Sequence, residues 1–287
     1  AATPAAPDDL AAALAKSNAY IGLMNRTLRA VESWNRYTSW VDVKKGPTGK
    51  ERYIDYGLYG LYDVKDEIAK ARAAARTPPL EATLDATVVR YADAYEALAP
   101  LLTAANGYYE RKDWKADKMA EGKALHAKLV PAAQAFLVLR DALEDQMRSY
   151  KRALDVRSLA ALEAKEGRSH RWHIRNVMAR AEAVIEELPS AKSPVVDLKR
   201  FDAALDVYAG SVKEMDHFAE AYPGKFSTFE SQPRSLLGKL RSLRDKLGKV
   251  KGDARKLGQF GGMDLTFLVS EYNMMVSSSD MAQRFSR

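Results

Sequence analysis

Apolar residues recur along this chain at spacings of three and four, and runs of two-residue alternation are scarce. Spacings of three and four place side chains on one face of an α-helix, whereas alternation is typical of a strand. The pattern therefore predicts an all-α protein with little or no sheet. Turns rich in proline and glycine divide it into about seven or eight long helices, which favours an elongated helical bundle.

Turn signals set the predicted helix boundaries. Asp8 or Asp9 can cap the first helix, whose apolar stripe runs from Leu10 to Val41 and ends before the turn at 44–49. The next helices are predicted at 53–76, 80–109, 113–153, 156–188 and 195–222. A basic helix follows, and the glycines of 258–262 separate it from a last helix.

The domain organisation predicted from this pattern is simple. Residues 1–9 contain small residues and two prolines, so they are expected to form a flexible N-terminal tether. Residues 10–287 are expected to form a single helical domain, with room for two sub-bundles that meet near 150–195. No fixed-period repeat is present.

Composition excludes several classes of site. The chain has no cysteine, which excludes disulfides, thiol nucleophiles and cysteine-ligated metals, and favours slightly an exported protein. Hydrophobic residues make up 47% and charged residues 29%, as in ordinary globular proteins. No apolar run approaches the ~18 residues that a transmembrane segment needs. Neither a phosphate-binding loop in its strand-to-helix context nor a nucleophile elbow is present, so we expect no cofactor and no catalysis.

The net charge of +7 comes from one segment. Between Arg234 and Lys256 nine basic residues face two acidic ones, and the rest of the chain is balanced. We predict binding to an anionic membrane surface or an acidic partner, since a basic amphipathic helix favours both. The basic residues assigned to this surface are Arg234, Lys239, Arg241, Arg244, Lys246, Lys249 and Lys251. The alternative is a packed helix with a solvated basic face; nucleic acid is not expected, because no aromatic residues alternate with the charges.

One carboxylate–histidine motif could hold a metal. Glu214, His217 and Glu220 form overlapping E-x-x-H and H-x-x-E motifs, whose members lie three apart on a helix. Di-iron bundles use two such motifs on two helices, and this chain has one. The alternative is a surface histidine beside core residues.

Two other groups of residues, a pair of histidines and a set of tyrosines, each allow a functional and a structural interpretation. His170 and His173 lie among arginines, which repel a divalent cation, so we expect them on a solvated helix face. Four tyrosines at 53, 56, 59 and 62 alternate with two glycines at the start of the predicted second helix. They either line a groove for a sugar or peptide or, as we favour, pack between helices.

Three segments together resemble a known family. They are Asn18–Asn25 with Trp34–Asp42, then Gly46–Arg52, and then Tyr108–Asp117 with Gly122–Leu129. In this order they resemble the YiiG-like family of bacterial lipoproteins, a domain of unknown function, over about residues 15–150. The resemblance implies a helical protein of the cell envelope or periplasm, exported and lipid-anchored through a cysteine in the full-length precursor. It implies no functional residues.

Two functional hypotheses follow from these observations. The first is a non-enzymatic cell-envelope protein, a helical module that binds an envelope protein or an anionic surface. The second is a metal-binding envelope protein or a metal-dependent enzyme of the imelysin-like type, in which H-x-x-E motifs also occur, centred on Glu214, His217 and Glu220. A weaker hypothesis makes the apolar seam from Leu236 to Val250 a contact between copies of the chain.

Overall fold

The protein is all-α over the residues that the structure describes. The computed structural model covers residues 7–190, 193–226 and 229–284, and the side chains of these residues except at 7–8, 259–262 and 283–284. Within these ranges there are eight α-helices and no strand, with one isolated antiparallel bridge between Val195 and Asp253. The predicted fold class is confirmed. Of the predicted tether, residues 1–6 lie outside the described residues, and 7–9 belong to the first helix.

Eight helices follow one another along the chain. They are α1 (Pro7–Thr38), α2 (Lys65–Ala74), α3 (Ala82–Glu110), α4 (Ala120–Glu166), α5 (His170–Ile185), α6 (Leu198–Ala221), α7 (Ser231–Lys249) and α8 (Gly258–Arg284). Short 3-10 turns occur at Ile54–Tyr56, Asp113–Lys115 and Ala254–Leu257. No helix in the described ranges is both long and apolar enough to cross a membrane.

The chain divides into two compact units, and the division falls inside α4. Unit 1 is residues 1–154 and contains α1, α2, α3 and most of α4. Unit 2 is residues 155–287 and contains the end of α4 with α5 to α8. Each unit has a hydrophobic core of its own. That residues 10–287 act as one domain stays a prediction.

The core of unit 1 is rich in aromatic residues and contains a buried ion pair. Trp40 packs edge-on against both Tyr37 and Tyr109, with ring centroids 5.3 and 4.9 Å apart. Lys16 of α1 lies 2.9 Å from Asp85 of α3, and both side chains are buried. A buried pair of this kind is costly to break, since the remaining charge has no solvent.

The core of unit 2 is built from α5, α6, α7 and α8. The leucine seam of the basic helix faces this core: Leu236, Leu240, Leu243 and Leu247 are each at most 2% exposed. The seam is therefore the inner face of α7. The hypothesis that it joins two copies of the chain is wrong, because residues of the same unit cover it.

The predicted second helix is wrong over its first half. Residues 57–64, here called the strap, have no regular structure, and α2 begins only at Lys65. Gly57 adopts a φ of +54°, which an L-residue disfavours and which ends the 3-10 turn before it. Tyrosines three residues apart mimic a helical period although no helix forms.

Side chains of α1 fix the strap in an antiparallel direction. Arg36, Arg29 and Arg26 donate hydrogen bonds to the carbonyl oxygens of Tyr56, Gly60 and Asp63. The Arg29 guanidinium carbon also lies 4.0 Å from the centre of the Tyr59 ring. Tyr56, Tyr59 and Tyr62 therefore lie beside arginines of α1 in cation–π contacts. Tyr56 and Tyr59 also line a pocket of about 290 Å³, so the groove for a sugar or peptide stays a prediction.

Two further boundaries differ from the prediction. The chain breaks at 167–169 rather than near 153–156, because Gly167 takes a φ of +67° and Ser169 caps α5 by accepting from the Trp172 amide. The glycine-containing segment 258–262, predicted as a break, is the first part of α8.

Candidate functional site

The predicted basic surface on α7 is partly neutralised. Of its seven residues, four form ion pairs with carboxylates that neighbour them in the fold: Arg234, Lys239, Arg244 and Lys246. The other three, Arg241, Lys249 and Lys251, have no ion pair with any described residue. The local charge that the sequence suggests is therefore larger than the charge that the surface presents.

The best-defined of these pairs joins α7 to α6. Arg244 donates two hydrogen bonds to Asp202, of 2.7 Å from Nε and 2.9 Å from Nη2. These bonds hold the pKa of Asp202 below its usual range. Arg234 makes a similar link to Asp216 at 2.9 Å. Both arginines therefore act first within unit 2, as positioning contacts between helices.

Two lysines link α7 to α8 at the edges of a groove. Lys239 pairs with Glu271, which is 8% exposed and also accepts a 2.5 Å hydrogen bond from Ser235. Lys246 pairs with Asp264 two turns away on α8. Replacing either lysine would leave a carboxylate of α8 without its cation, so these two residues cannot be tested as free surface charges.

A groove of about 370 Å³ lies between α7 and α8 in unit 2. Leu243 and Leu268 are buried residues of its wall, while Phe267 and Met274 are 61% and 59% exposed. The two lysine–carboxylate pairs lie among its lining residues. An apolar surface with a charged rim has the usual composition of a protein-binding groove.

The exposed apolar residues of the groove continue along α8 as a stripe. Its members are Met263, Phe267, Met274 and Met281, all more than half exposed. Their spacings of four, seven and seven place them on one face, over roughly 27 Å at 1.5 Å per residue. We call these four residues the α8 stripe. Exposed apolar residues repeating at heptad spacing are typical of a surface that receives another helix.

Sequence reasoning missed the α8 stripe. It assigned to the last helix one apolar face, built on Leu265, Leu268, Tyr272 and Met275, and this face does pack into unit 2. A second apolar face was visible in the seven-residue spacing of Phe267, Met274 and Met281. A helix with apolar residues on two faces has one face more than its own core requires.

The three predicted metal residues do not form a site together, although two of them are close to one another. Glu214 is ion-paired with Arg168, and His217 lies 3.5 Å from Glu220 with both side chains about four-fifths exposed. Among the described residues no three histidine or acidic side chains are grouped to hold a metal. The metal alternative stays a prediction that nothing in this geometry favours.

The expectation of a solvated face for His173 is wrong. His173 is 4% exposed and packs against Phe218 and Phe226. Burial lowers the pKa values of both His170 and His173. His170 Nε2 and His173 Nδ1 are buried without a hydrogen-bond partner among the described residues. The arginines around them were misleading, because they point to charge near the segment and not to exposure of the imidazoles.

Comparison with known proteins establishes the family of the chain. A family described as "Protein of unknown function (DUF3829)" matches residues 11–279. The chain belongs to this family. It is also 32% identical over 228 residues to the "Uncharacterized protein YiiG" of Escherichia coli (strain K12). That match covers 75% of this chain and 62% of the relative, so the chain spans less than two thirds of the relative's length. No solved structure matches the chain.

Membership in this family confirms the resemblance to YiiG-like proteins and extends it beyond residues 15–150 into unit 2. The family description contains no activity, partner or location. A function must therefore be argued from the geometry of the described residues.

Proposed function

We propose that this chain is a non-enzymatic binding module of the bacterial cell envelope, and that unit 2 binds an amphipathic helix of a partner protein. The observation that carries the proposal is the α8 stripe beside the α7–α8 groove. Four large apolar side chains lie exposed on one helical face at heptad spacing. Single exposed apolar residues are ordinary, but a contiguous set beside a groove is typical of an interaction surface.

Charge indicates which kind of helix fits. On the rim of the groove Lys239 and Lys246 are balanced by Glu271 and Asp264, so the uncompensated positive charge of α7 is that of Arg241 and Lys249. These two residues lie elsewhere on the exposed side of α7. An approaching helix with apolar residues at heptad positions and acidic residues beside them would complement both features. Two copies of this chain would instead bring the unpaired charges of Arg241 and Lys249 towards each other, which disfavours pairing of α8 with a second α8.

The location in the envelope rests on the family resemblance and on the absence of cysteine. Growth of the source bacterium with a clickable fatty acid, followed by fractionation, tests it on the full-length protein. We expect the label on the protein and recovery with membranes. Unlabelled protein in the cytosolic fraction would contradict the envelope proposal without touching the helix-binding proposal.

A designed peptide tests helix binding directly. The probe is a helix of about three heptads with leucine at the two core positions and glutamate at the flanking positions. Fluorescence anisotropy should show saturable binding to the chain, and a peptide with lysine in place of glutamate should bind much more weakly. Equal binding of both peptides would remove the charge argument, and no binding of either would overturn the proposal.

Substitutions localise the contact. The double variant Phe267→Ser with Met274→Ser should weaken binding about thirtyfold, as expected when a central apolar contact worth about 2 kcal/mol is lost. Val138→Ser is the matched control, since Val138 is 69% exposed and lies in unit 1. If both variants bind like the wild type, the α8 stripe is not the contact.

An anionic membrane is the competing occupant, favoured by the unpaired charges of Arg241 and Lys249. Co-sedimentation with neutral and anionic vesicles over a salt series separates the two. Binding that requires anionic lipid, and that is lost in Arg241→Ser with Lys249→Ser, would favour the membrane. We expect instead that this variant leaves peptide binding within about threefold of the wild type, because Arg241 and Lys249 do not line the groove and exposed charges contribute little affinity.

A further inference from the structure

Unit 2 contains a second cavity, which is lined by different helices from the α7–α8 groove. It measures about 490 Å³ and lies among the end of α4, α5 and α6. It shares no lining residue with the α7–α8 groove. Its volume is in the range of ~300–1,000 Å³ that is typical of small-molecule sites. One face of α5 supplies Trp172, Asn176 and Arg180, because residues four apart lie above one another on a helix.

Asn176 is a mostly buried polar residue of this cavity, with 5% of its surface exposed. Its side-chain amide forms no hydrogen bond with a described residue, and it is not one of the polar groups that are buried away from solvent without a partner. The amide is therefore open to the cavity, and a molecule bound there can accept a hydrogen bond from it.

The charges along the cavity differ between its two ends. Arg168 is held by Glu163 at 2.9 Å and by Glu214, so that end has two carboxylates for one guanidinium. Arg180, one turn beyond Asn176, forms no ion pair with a described residue. An anionic group is therefore repelled at the Arg168 end and attracted at the Arg180 end.

The remaining wall of the cavity is apolar. Val156, Leu159 and Val207 line it, and two of them, Val156 and Val207, are more than half exposed. Gly210 lies in the same wall, and a Cβ built on it would meet no atom within 4 Å. Glycine inside a helix costs about 1 kcal/mol relative to alanine, so α6 has space here at some expense of stability.

We propose that this cavity binds a small organic anion with an apolar body, of which a medium-chain carboxylate is the simplest example. The carboxylate accepts hydrogen bonds from the Arg180 guanidinium and the Asn176 amide. The hydrocarbon lies against Val156, Leu159 and Val207. This site is independent of the helix-binding surface, and neither proposal requires the other.

Calorimetry on the full chain with three matched probes tests the chemistry. The probes are octanoate, octan-1-ol and octylammonium, which share one hydrocarbon and differ in the head group. Octanoate should bind with one site per chain, and the neutral and cationic probes should bind at least about tenfold more weakly. Equal affinity for all three would overturn the anionic assignment, and failure of octanoate to bind would overturn the site.

Variants then place the ligand. Arg180→Gln should weaken octanoate about tenfold, the loss expected for one charge-assisted hydrogen bond. Gly210→Phe should abolish binding by filling the cavity, while Gly210→Ala should bind like the wild type. Arg241→Gln is the matched control, since it removes an unpaired arginine from α7.

Circular dichroism and the melting temperature check that each variant folds. If Gly210→Phe does not fold, Val207→Trp replaces it as the blocking variant. Octanoate binding that survives both Arg180→Gln and the folded blocking variant would place the ligand elsewhere and overturn the proposal.

Discussion

Unit 1 and unit 2 differ in whether their buried polar side chains have hydrogen-bond partners. In unit 1, Asp85 accepts hydrogen bonds from Lys16, from the Tyr20 hydroxyl and from the Glu81 amide. His126 has partners on both ring nitrogens, the Tyr37 hydroxyl at 2.9 Å and the Val43 carbonyl at 3.0 Å. In unit 2, four consecutive residues, 170–173, each contain a buried side-chain nitrogen with no partner among the described residues, whereas the two such atoms of unit 1, Trp114 Nε1 and Gln146 Oε1, are isolated in the sequence.

The two units differ in their exposed apolar residues as well. Several of those in unit 1 are the tyrosines near the strap, whose rings lie beside arginines of α1. Unit 2 exposes the α8 stripe beside a groove. Where local rules of stability are broken without compensation, function is the usual reason. The comparison teaches that unit 1 is built for stability and that unit 2 is the better place to look for binding.

Removing the negative charge of Asp85 should produce the largest loss of stability and so test unit 1. Asp85→Asn keeps one acceptor oxygen, which can serve either the Tyr20 hydroxyl or the Glu81 amide, and it leaves Lys16 buried without a counter-charge, so we expect a loss of about 3–5 kcal/mol. Chemical denaturation followed by the fluorescence of Trp34, Trp40 and Trp114 measures it, in a Trp172→Phe background that silences unit 2. Lys16→Met combined with Asp85→Asn should recover most of the loss. A double variant as unstable as the single one would show that charge is not the reason.

The next largest effect on stability should come from mild acid, which lowers the unfolding free energy of unit 2 through His173. Burial lowers the pKa of His173 below its ordinary value of 6.5, while the charge of Glu214 opposes this shift and the charge of Arg168 adds to it. The unfolded chain therefore takes up a proton before the folded one. The stability that neutral His173 contributes is complete above pH 6.5 and is lost as the pH falls towards its lowered pKa.

The variant His173→Leu removes this titration and a buried nitrogen without a partner. We expect it to gain about 1 kcal/mol at pH 5 and to reduce the difference in unfolding free energy between pH 7.5 and pH 5. Hydrogen exchange of the α5 amides over a series of denaturant concentrations gives the comparison within unit 2. His170, whose pKa is lowered as well, leaves a residual pH dependence. An unchanged difference between the two pH values would contradict the assignment to His173.

A smaller effect, of opposite sign, is expected at Gly210. Because a Cβ there meets no neighbour, Gly210→Ala should stabilise unit 2 by about 0.5–1 kcal/mol through helix propensity alone. Thermal denaturation measures the gain. Destabilisation would mean that the space above α6 is not open, and it would weaken the case for the small-anion site.

The smallest effect on stability should come from the α8 stripe. Phe267→Ser changes a side chain that is 61% exposed, so the unfolding free energy should stay within about 0.5 kcal/mol of the wild type. The same variant should bind the acidic peptide more weakly. A loss of more than about 2 kcal/mol in stability would show that Phe267 belongs to the core, and the contrast between the units would then weaken.

The sequence predicted those helices whose apolar stripe has a single period. The long first helix, α3, α6 and the inner face of α7 follow directly from spacing, because burial of one face is what stabilises such helices. The strap escaped prediction because its tyrosines repeat every three residues while Gly57 ends the turn. The α4–α5 boundary was misplaced because its signals, Gly167 and Ser169, are single residues.

The candidate sites were less predictable, since they depend on contacts between distant segments. Arg244 and Asp202 are 42 residues apart, so no local pattern reveals that they neutralise one another. The small-anion site needs faces of three helices to meet, and Asn176 is unremarkable until its burial is known. The α8 stripe was available from the sequence, and it was missed because one apolar face already accounted for the helix.

The strap has a consequence for the order in which unit 1 assembles. Its hydrogen bonds to α1 span between 26 and 37 residues, from Ser33 with Tyr59 to Arg26 with Asp63. The Lys16–Asp85 pair closes a loop of 69 residues, and Arg140 reaches Met24 across 116. Contacts between near segments cost less chain entropy to form, so they are favoured early in folding. We therefore expect the strap and the second half of α1 to form the folding nucleus of unit 1, with φ-values near one at Ser33 and near zero at Arg140.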